Sequence, residues 1–238
     1  MIIIFYPFGY FRFDPTMIIL IPAVILTIYA QGKVQSSFAK YLRIPTKRGY
    51  TGVQVARNLL DQHGLQNIPI EVSHGKLSDH YDPTKRVLRL SQEVYQGYSI
   101  ASVSVAAHEV GHAIQHANGY IPLSLRNKVF PVARIGSSLA WPFMIVGLLI
   151  PSLGSLMNIG IILFGMAVLF QIITLPVEFN ASSRALNLLD TSGFLAEDES
   201  KGAKKVLNAA ALTYVAAMAN GIAQLMRLIL IRNRNSQE

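Results

Sequence analysis

Cysteine is absent from the 238-residue sequence, so the chain forms no disulfide that could stabilise it or indicate its compartment; this absence is compatible with a cytoplasmic site. Charge is also scarce, since 14% of the residues are charged and 51% are hydrophobic. The mean hydropathy of +0.36 is high for a soluble protein of this length. No repeat or low-complexity tract is present. These features argue against a soluble, disulfide-stabilised protein and favour one embedded in a membrane.

Charged residues are missing altogether between Ile135 and Val177, a stretch that is interrupted only around Pro151-Ser-Leu-Gly154. Each half of this stretch is long enough to cross about 30 Å of hydrocarbon as an α-helix. The sequence therefore predicts two membrane-spanning helices, at about 132–150 and 154–177, joined by a tight turn.

Two further segments are candidate spans. Residues 15–32 are uncharged between Asp14 and Lys33 and predict an N-terminal spanning helix. Residues 206–226 are also uncharged, but they are rich in alanine and carry amide side chains. Such a helix can cross the membrane by packing on its neighbours through small residues, or it can be a buried amphipathic helix of a globular unit. The sequence leaves both alternatives open.

The net charge of +8 is distributed unevenly over the predicted topology. Many basic residues lie near span ends on the side that holds residues 33–134 and 178–205, whereas Arg12, Arg232 and Arg234 lie on the opposite side. The positive-inside rule therefore predicts that residues 33–134 face the cytoplasm. No aromatic-basic surface pattern is present, which argues against a nucleic-acid partner. The basic residues on the cytoplasmic side are Lys33, Lys40, Arg43, Lys47, Arg48, Arg126, Lys128, Arg134, Arg184, Lys201, Lys204 and Lys205.

The sequence AAHEVGHAIQH, residues 106–116, places three histidines and a glutamate in a small, apolar run. His108 and His112 are four residues apart, so on an α-helix they lie on one face about 6 Å apart and can reach one Zn²⁺ together. Glu109 would lie beside the metal, where it can take a proton from zinc-bound water. Ser99 can cap a helix through this segment. The H-E-x-x-H pattern therefore predicts a zinc site; the alternative is an ordinary helix with two hydrogen-bonded histidines.

A third ligand has to come from outside this motif. Gln115 and Asn118 stand where the metzincin pattern requires a glycine and a histidine, which excludes that subclass. His116 is a poor ligand because all three histidines would then lie on one straight helix. No carboxylate occurs between Glu109 and Glu178, so Glu178 is the first downstream candidate. The alternative for Glu178 is an acid favoured by the dipole at a helix N-terminus.

The segment before the motif predicts a small α+β unit. Residues 51–64 have the cap, apolar stripe and terminal glycine of an amphipathic helix. Residues 68–73 predict a short strand, and residues 85–91, which alternate apolar and basic side chains after the Asp82-Pro83 turn, predict an edge or hairpin strand. A free edge of this kind can pair with an extended peptide, although an ordinary half-buried strand would have the same pattern.

With this hydrophobic layout, the segments HEVGHAIQH, DHYDP…RLS and LPVEFNASSRAL resemble the YugP-like family of membrane zinc metallopeptidases over nearly the whole chain. The resemblance implies a neutral zinc peptidase of the gluzincin kind, related more loosely to the membrane CAAX-prenyl and heat-shock proteases. It implies that His108, His112 and Glu178 are the zinc ligands and that Glu109 is the catalytic base.

Two positions depart from the pattern of the looser relatives. Those proteins carry an aspartate four residues after the ligand glutamate, where it orients a zinc histidine, and this sequence has Ser182 there. Their oxyanion donor, a histidine or an arginine, has no clear counterpart. Arg184 is the candidate for that role, and the alternative is an ordinary surface arginine.

The expected fold is an α+β zincin-like catalytic unit embedded in a mainly α-helical multi-pass membrane protein with about four transmembrane helices. The expected function is a Zn²⁺-dependent metalloendopeptidase of the cell membrane. It would cut peptide or membrane-protein substrates with zinc-bound water, at a cytoplasmic site next to the lipid bilayer. The alternatives are a catalytically idle zinc-binding scaffold and a site-2-type intramembrane protease, although residues 100–107 are too short for a span before His108. The sequence leaves the oligomeric state open.

The expected segments are an N-terminal segment with the first span (1–32), the catalytic unit (33–131), a transmembrane hairpin (132–177), the third-ligand helix with the cytoplasmic connection (178–205) and a fourth span with a basic tail (206–238).

Overall fold

The computed structural model describes residues 15–235, so the start of the predicted N-terminal segment, with Arg12, and the last residues of the tail lie outside the described residues. The described chain is mainly helical and contains one small sheet. In chain order its elements are a 3₁₀ helix (Pro15–Leu20), α1 (Ile21–Leu42), α2 (Gly52–Gln62), β1 (Ile70–Ser73), β2 (His80–Asp82), β3 (Val87–Ser91), α3 (Gln92–Tyr95), α4 (Ile100–Ala117), α5 (Ile121–Leu149), a 3₁₀ turn (Pro151–Leu153), α6 (Ser155–Thr191) and α7 (Glu197–Asn235).

Four helices within residues 15–235 are long and apolar enough to cross a membrane, as the sequence predicts. The first is Pro15–Leu42, in which the 3₁₀ helix continues into α1, and the others are α5, α6 and Glu197–Arg234 of α7. The turn at Pro151–Leu153 joins α5 to α6 as the predicted hairpin. Large apolar side chains such as Ile145 and Ile162 remain exposed on this hairpin, as expected of a surface that faces lipid.

The two alternatives for residues 206–226 both hold in part. Val206 and Leu207, in the third turn of α7, are buried in the apolar core that surrounds α4. The elements that share this core form the globular unit. The same helix continues without a break and packs along α6 and α1 as a candidate span. One long helix therefore belongs to both parts of the protein.

The sheet has the strand order β1-β3-β2, with β1 parallel and β2 antiparallel to β3. The prediction of a hairpin is confirmed, because β2 pairs with β3 in antiparallel fashion. The side chain of Asp82 accepts hydrogen bonds from two backbone N–H groups of the turn between these strands. The alternative of an edge strand at 85–91 is wrong, since β3 is central and β2 is at the edge. The physical reason is Arg89, whose guanidinium pairs with Glu71 at 2.9 Å on one side and with Asp82 at 3.4 Å on the other. Because both neighbouring strands supply an acidic partner for Arg89, its charge is neutralised within the sheet. A strand that carries such a basic residue can therefore lie at the centre of the sheet.

The core of the globular unit is built around α4. Ser99 caps this helix as predicted, since its hydroxyl accepts a hydrogen bond from the Ser102 N–H at 3.1 Å. Buried side chains from α1, α2 and β3 cover α4 on several sides, and side chains from α6 and α7 complete the core. The contributions that come after the transmembrane hairpin are Ala185, Leu189, Phe194, Leu195, Ala203, Val206 and Leu207.

Candidate metal centre

Three side chains that the sequence singled out converge between α4 and α6. The Nε2 atom of His108 lies 3.3 Å from Oε2 of Glu178, and Nε2 of His112 lies 3.6 Å from the same oxygen. The ligand atoms of all three residues lie within 4.8 Å of one another. A tetrahedral zinc ion at about 2.0–2.1 Å from each donor would hold its donors roughly 3.3–3.4 Å apart. The two distances from the histidines to Glu178 are therefore close to those that a zinc ion requires.

The close crossing of α4 and α6 depends on a glycine inside the motif. A Cβ atom at Gly111 would lie 2.9 Å from the backbone oxygen of Ala181, closer than side chains normally approach. Because Gly111 has no side chain, α6 can lie directly against α4, and Glu178 comes within reach of both histidines. The glycine thus determines the geometry of the site through the backbone.

The two histidines are oriented by neutral partners at their other ring nitrogen. Nδ1 of His108 lies 3.2 Å from the Ser182 hydroxyl, and Nδ1 of His112 lies 3.0 Å from Oε1 of Gln115. Both Nε2 atoms therefore face Glu178, and a hydrogen on Nδ1 leaves a lone pair on Nε2 for a metal. Ser182 stands where the looser relatives carry an aspartate, and it contacts the histidine that such an aspartate would orient.

The electrostatics of the site favour a bound cation. The Glu178 side chain is only 4% exposed, and a buried carboxylate needs a positive partner. Burial lowers the pKa of His112, but the contact with Glu178 and the negative charge of Glu109 outweigh it, so this pKa lies above its ordinary value. A proton or a metal ion is thus favoured between the imidazole and the carboxylates. Metal binding would have to displace that proton, because the neutral imidazole is the ligand.

The three residues and Glu109 line a cavity of about 790 Å³. One wall is formed by residues 79–84, which comprise the edge strand β2 and its turn. The beginning of α5 also contributes to the lining, as does Tyr214 on α7, which lies near Glu178. Glu109 is buried, at 8% exposure, but faces this cavity beside the two histidines. The residues of α5 in the lining are Leu123, Arg126, Asn127 and Phe130.

Arg184 does not line this cavity. It borders a separate cavity of about 300 Å³, and its Nε donates a hydrogen bond to Oδ1 of Asn180 at 2.8 Å. His116 does line the large cavity, but its Nδ1 is paired with the hydroxyl of Tyr81 on β2 at 2.9 Å. It is therefore a neighbour of the site and lies outside the group of three donors.

Sequence reasoning missed Arg126 and Tyr214. Nη1 of Arg126 lies 3.7 Å from Oε1 of Glu178, the carboxylate oxygen that does not face the histidines. One signal in the sequence could have indicated Arg126: it lies about as far before the Pro151–Leu153 turn as Glu178 lies after it. In a straight helical hairpin, two residues that are equally far from the turn, one on each helix, lie side by side. No local pattern indicates Tyr214, whose position depends on the packing of α7.

The comparisons with known proteins agree with this geometry. Residues 16–233 match the model of a family described as "Putative neutral zinc metallopeptidase". The chain belongs to this family. It is 51% identical over 211 residues to a protein of Bacillus subtilis (strain 168) named "Putative membrane protease YugP", an alignment that covers 89% of this chain and 93% of that protein. No solved structure matches the chain.

Family membership fixes the coarse chemistry. Zinc is the cofactor, and the His-His-Glu group between α4 and α6 is one that could bind it. A peptidase family implies a peptide substrate, and the apolar helices imply a lipid bilayer.

Proposed function

We propose that this protein is a zinc-dependent endopeptidase of the cell membrane whose active site lies at the cytoplasmic membrane face. The observation that carries the proposal is the convergence of His108, His112 and Glu178 at one point, with Glu109 in the same cavity. A zinc-binding scaffold without activity would need the three ligands but would have no use for Glu109.

His108, His112 and Glu178 would hold the metal through Nε2, Nε2 and Oε2. When bound, zinc would supply a Lewis acid that polarises the scissile carbonyl and lowers the pKa of water. Glu109 follows His108 directly, so its carboxylate lies beside the ligands and remains available as a base. It would take the proton from the attacking water and then deliver it to the leaving amine.

Arg126 and Tyr214 are the donors best placed to stabilise the oxyanion of the tetrahedral intermediate. Both line the cavity and both lie against Glu178, so they flank the position of the metal. A guanidinium and a phenol can each donate a hydrogen bond to a developing negative charge in a partly buried site. Arg126 and Tyr214 thus replace Arg184 as the candidate oxyanion donors, because Arg184 contacts Asn180 outside the cavity.

The substrate would bind in extended form along β2. This strand pairs with β3 on one side only, and residues 79–84 form a wall of the cavity. A peptide that adds to the free edge of β2 would make backbone hydrogen bonds there and would carry its scissile bond past the metal ligands. The pairing of Tyr81 with His116 connects this strand to α4 and fixes its distance from the site.

The site would lie at the level of the lipid headgroups. At about 1.5 Å per residue, Arg126 on α5 and Glu178 on α6 are each about 35 Å from the hairpin turn. Tyr214 on α7 lies at the same level as Glu178 and about 30 Å from Arg234. These lengths match the hydrocarbon thickness of about 30 Å with a small excess. Peptide segments next to the membrane, in particular those of membrane proteins, would therefore reach the site most readily.

The intramembrane alternative is less compatible with the fold. In an intramembrane protease of the site-2 type, the helix with the histidines would itself lie within the bilayer. Here α4 is covered by α1, α2, β3 and α6 in the core of the globular unit, and it is not one of the four candidate spans. We therefore propose that α4 lies outside the hydrocarbon.

The decisive experiment compares the purified full-length protein with its Glu109→Gln variant, which is nearly isosteric. We expect both to contain about one zinc per chain, and we expect the variant to lose about 10²–10⁴-fold in peptide hydrolysis, the usual contribution of a positioned base. A chelator should abolish the activity of the parent, and added zinc should restore it. Zinc binding with no hydrolysis of any peptide or membrane protein by the parent would indicate the scaffold instead.

A further inference from the structure

A chain of hydrogen bonds leads from Arg184 on α6 to His112 on α4. The Arg184 Nε–H donates to Oδ1 of Asn180 at 2.8 Å, and the same oxygen accepts from Nε2 of Gln115 at 3.0 Å. Nε2 of Gln115 also donates to the backbone oxygen of Val177 at 2.9 Å. The other end of the amide, Oε1, faces Nδ1 of His112 at 3.0 Å. Gln115 is completely buried, and these partners satisfy both N–H groups of its amide and one acceptor position of its oxygen.

The direction of every bond in this chain is determined by its chemistry. A guanidinium can only donate, so the atom of Asn180 that faces Arg184 must be the amide oxygen. The atom of Gln115 that faces this oxygen must then be the nitrogen, and the carbonyl of Val177 imposes the same choice. Oε1 of Gln115 is left to accept from His112, so Nδ1 of His112 carries the hydrogen and Nε2 keeps its lone pair.

We propose that Gln115, Asn180 and Arg184 are positioning residues that fix the tautomer and the ring orientation of His112, so that Nε2 is held ready for the metal. This inference rests on the proposed metal centre and adds a role for three residues outside it. The chain also joins α4 to α6 beside the metal and thereby holds the two helices that supply its ligands. Arg184 acts through Asn180 and Gln115, and it has no contact with the reacting atoms.

The inference is tested by the zinc affinity of the full-length protein in detergent, measured by competition with a chelating dye. Loss of a group that orients a metal ligand typically costs about 10–100-fold in affinity. Gln115→Met, which retains the volume but removes the acceptor, should weaken zinc binding by this factor, and Arg184→Gln should weaken it by less. Asn187→Ala is the matched control, because Asn187 is an exposed residue of the same helix and should leave the affinity unchanged.

Two features separate positioning from a general loss of stability. Asn180→Asp should retain the affinity, because a carboxylate can accept from both Arg184 and Gln115, whereas Asn180→Leu should lower it. Arg184→Gln should have no further effect in the Gln115→Met background, since its path to His112 is then already broken. Nitrogen-15 NMR of labelled histidine should show His112 with its hydrogen on Nδ1 in the metal-free parent at high pH and a tautomer mixture in Gln115→Met. The His112 signal is identified by its loss in His112→Gln.

The possible failures are distinguishable. If the parent binds zinc and Arg184→Gln lowers the affinity equally with and without Gln115→Met, the positioning chain is wrong and the proposed function stands. Unchanged zinc affinity in both Gln115→Met and Asn180→Leu has the same meaning. If the parent binds no zinc at all, the proposed function fails together with this inference.

Discussion

The hydroxyl of Ser182 lies 3.2 Å from Nδ1 of His108, one helical turn after Glu178 on α6. A neutral hydroxyl thus occupies the position from which a carboxylate orients the histidine in the looser relatives. Ser182 is buried, at 7% exposure, so water does not replace it easily. His108 and His112 are then both held by uncharged groups, a hydroxyl and an amide.

We expect Ser182→Ala to weaken zinc binding by about 10-fold, since Nδ1 of His108 loses its partner and the ring loses its fixed orientation. Ser182→Asp should bind zinc at least as tightly as the parent, because a carboxylate accepts the same hydrogen bond more strongly. Chelator competition measures both affinities. Equal affinities in the parent and in Ser182→Ala would show that His108 is oriented by its packing alone.

Glu178→Ala should be isolated with little zinc and without activity, because it removes one of three protein ligands and leaves two histidines to hold the metal. Asp190→Ala and His116→Ala are the matched controls: the first changes an acid farther along α6, the second a histidine that contacts Tyr81 in the cavity wall. Both should retain zinc when metal content is determined by elemental analysis. Loss of zinc in His116→Ala with full retention in Glu178→Ala would show that His116, and not Glu178, is the third ligand.

Gly111→Ala should lower both the stability and the zinc affinity, because the new methyl group would push α6 away from α4 at Ala181. Overpacking of this kind costs typically about 1–3 kcal/mol. Gly165→Ala is the control, since Gly165 lies on α6 with no other atom within 4 Å of an added Cβ. Thermal unfolding with and without zinc distinguishes the two. If the two variants match in melting temperature and in metal affinity, the close helix crossing does not require the glycine.

Arg126→Gln should retain zinc but lose about 10²–10³-fold in kcat, the effect of removing one oxyanion donor. Arg126→Lys should recover part of the rate, because a charge remains near Glu178. Lys128→Gln removes an exposed basic residue from the same helix and should leave kcat unchanged. The measurement is steady-state hydrolysis of one peptide by the zinc-loaded variants. A normal kcat in Arg126→Gln would exclude this residue from the chemistry.

The absence of native cysteine makes the topology directly measurable. We expect a single cysteine introduced between residues 66 and 75 to react with an impermeant thiol reagent only after the cell membrane has been opened, because the proposed orientation places this region in the cytoplasm. Ser152→Cys, at the turn of the hairpin, should react in intact cells. The reverse pattern would invert the proposed orientation.

The parts of the site that could be predicted are those fixed by local spacing. His108, Glu109 and His112 follow from helical geometry, and Glu178 follows from its position as the first acid after Glu109. Arg184, the candidate oxyanion donor of the sequence analysis, follows Glu178 by six residues. Six residues along a helix turn a side chain by roughly 240°, which directs it away from the site.

The remaining parts depend on contacts between distant segments. Arg126 meets Glu178 across the whole hairpin. The central position of β3 depends on Arg89 finding an acid on each neighbouring strand. In neither case does the local sequence pattern determine the partner; the packing of distant segments does.

The core shared between segments before and after the membrane hairpin limits how this protein can be divided. A fragment of residues 33–131 would lack Leu189, Phe194 and Leu207, among other side chains that fill the core around α4. Each large apolar side chain contributes about 1.5–3 kcal/mol when buried. Their combined loss approaches the whole net stability of a typical domain, about 5–15 kcal/mol. The unit formed by residues 33–131 is therefore not a module that recombination could transfer to another chain, and a version without α6 and α7 would have to be redesigned with a replacement for their core side chains.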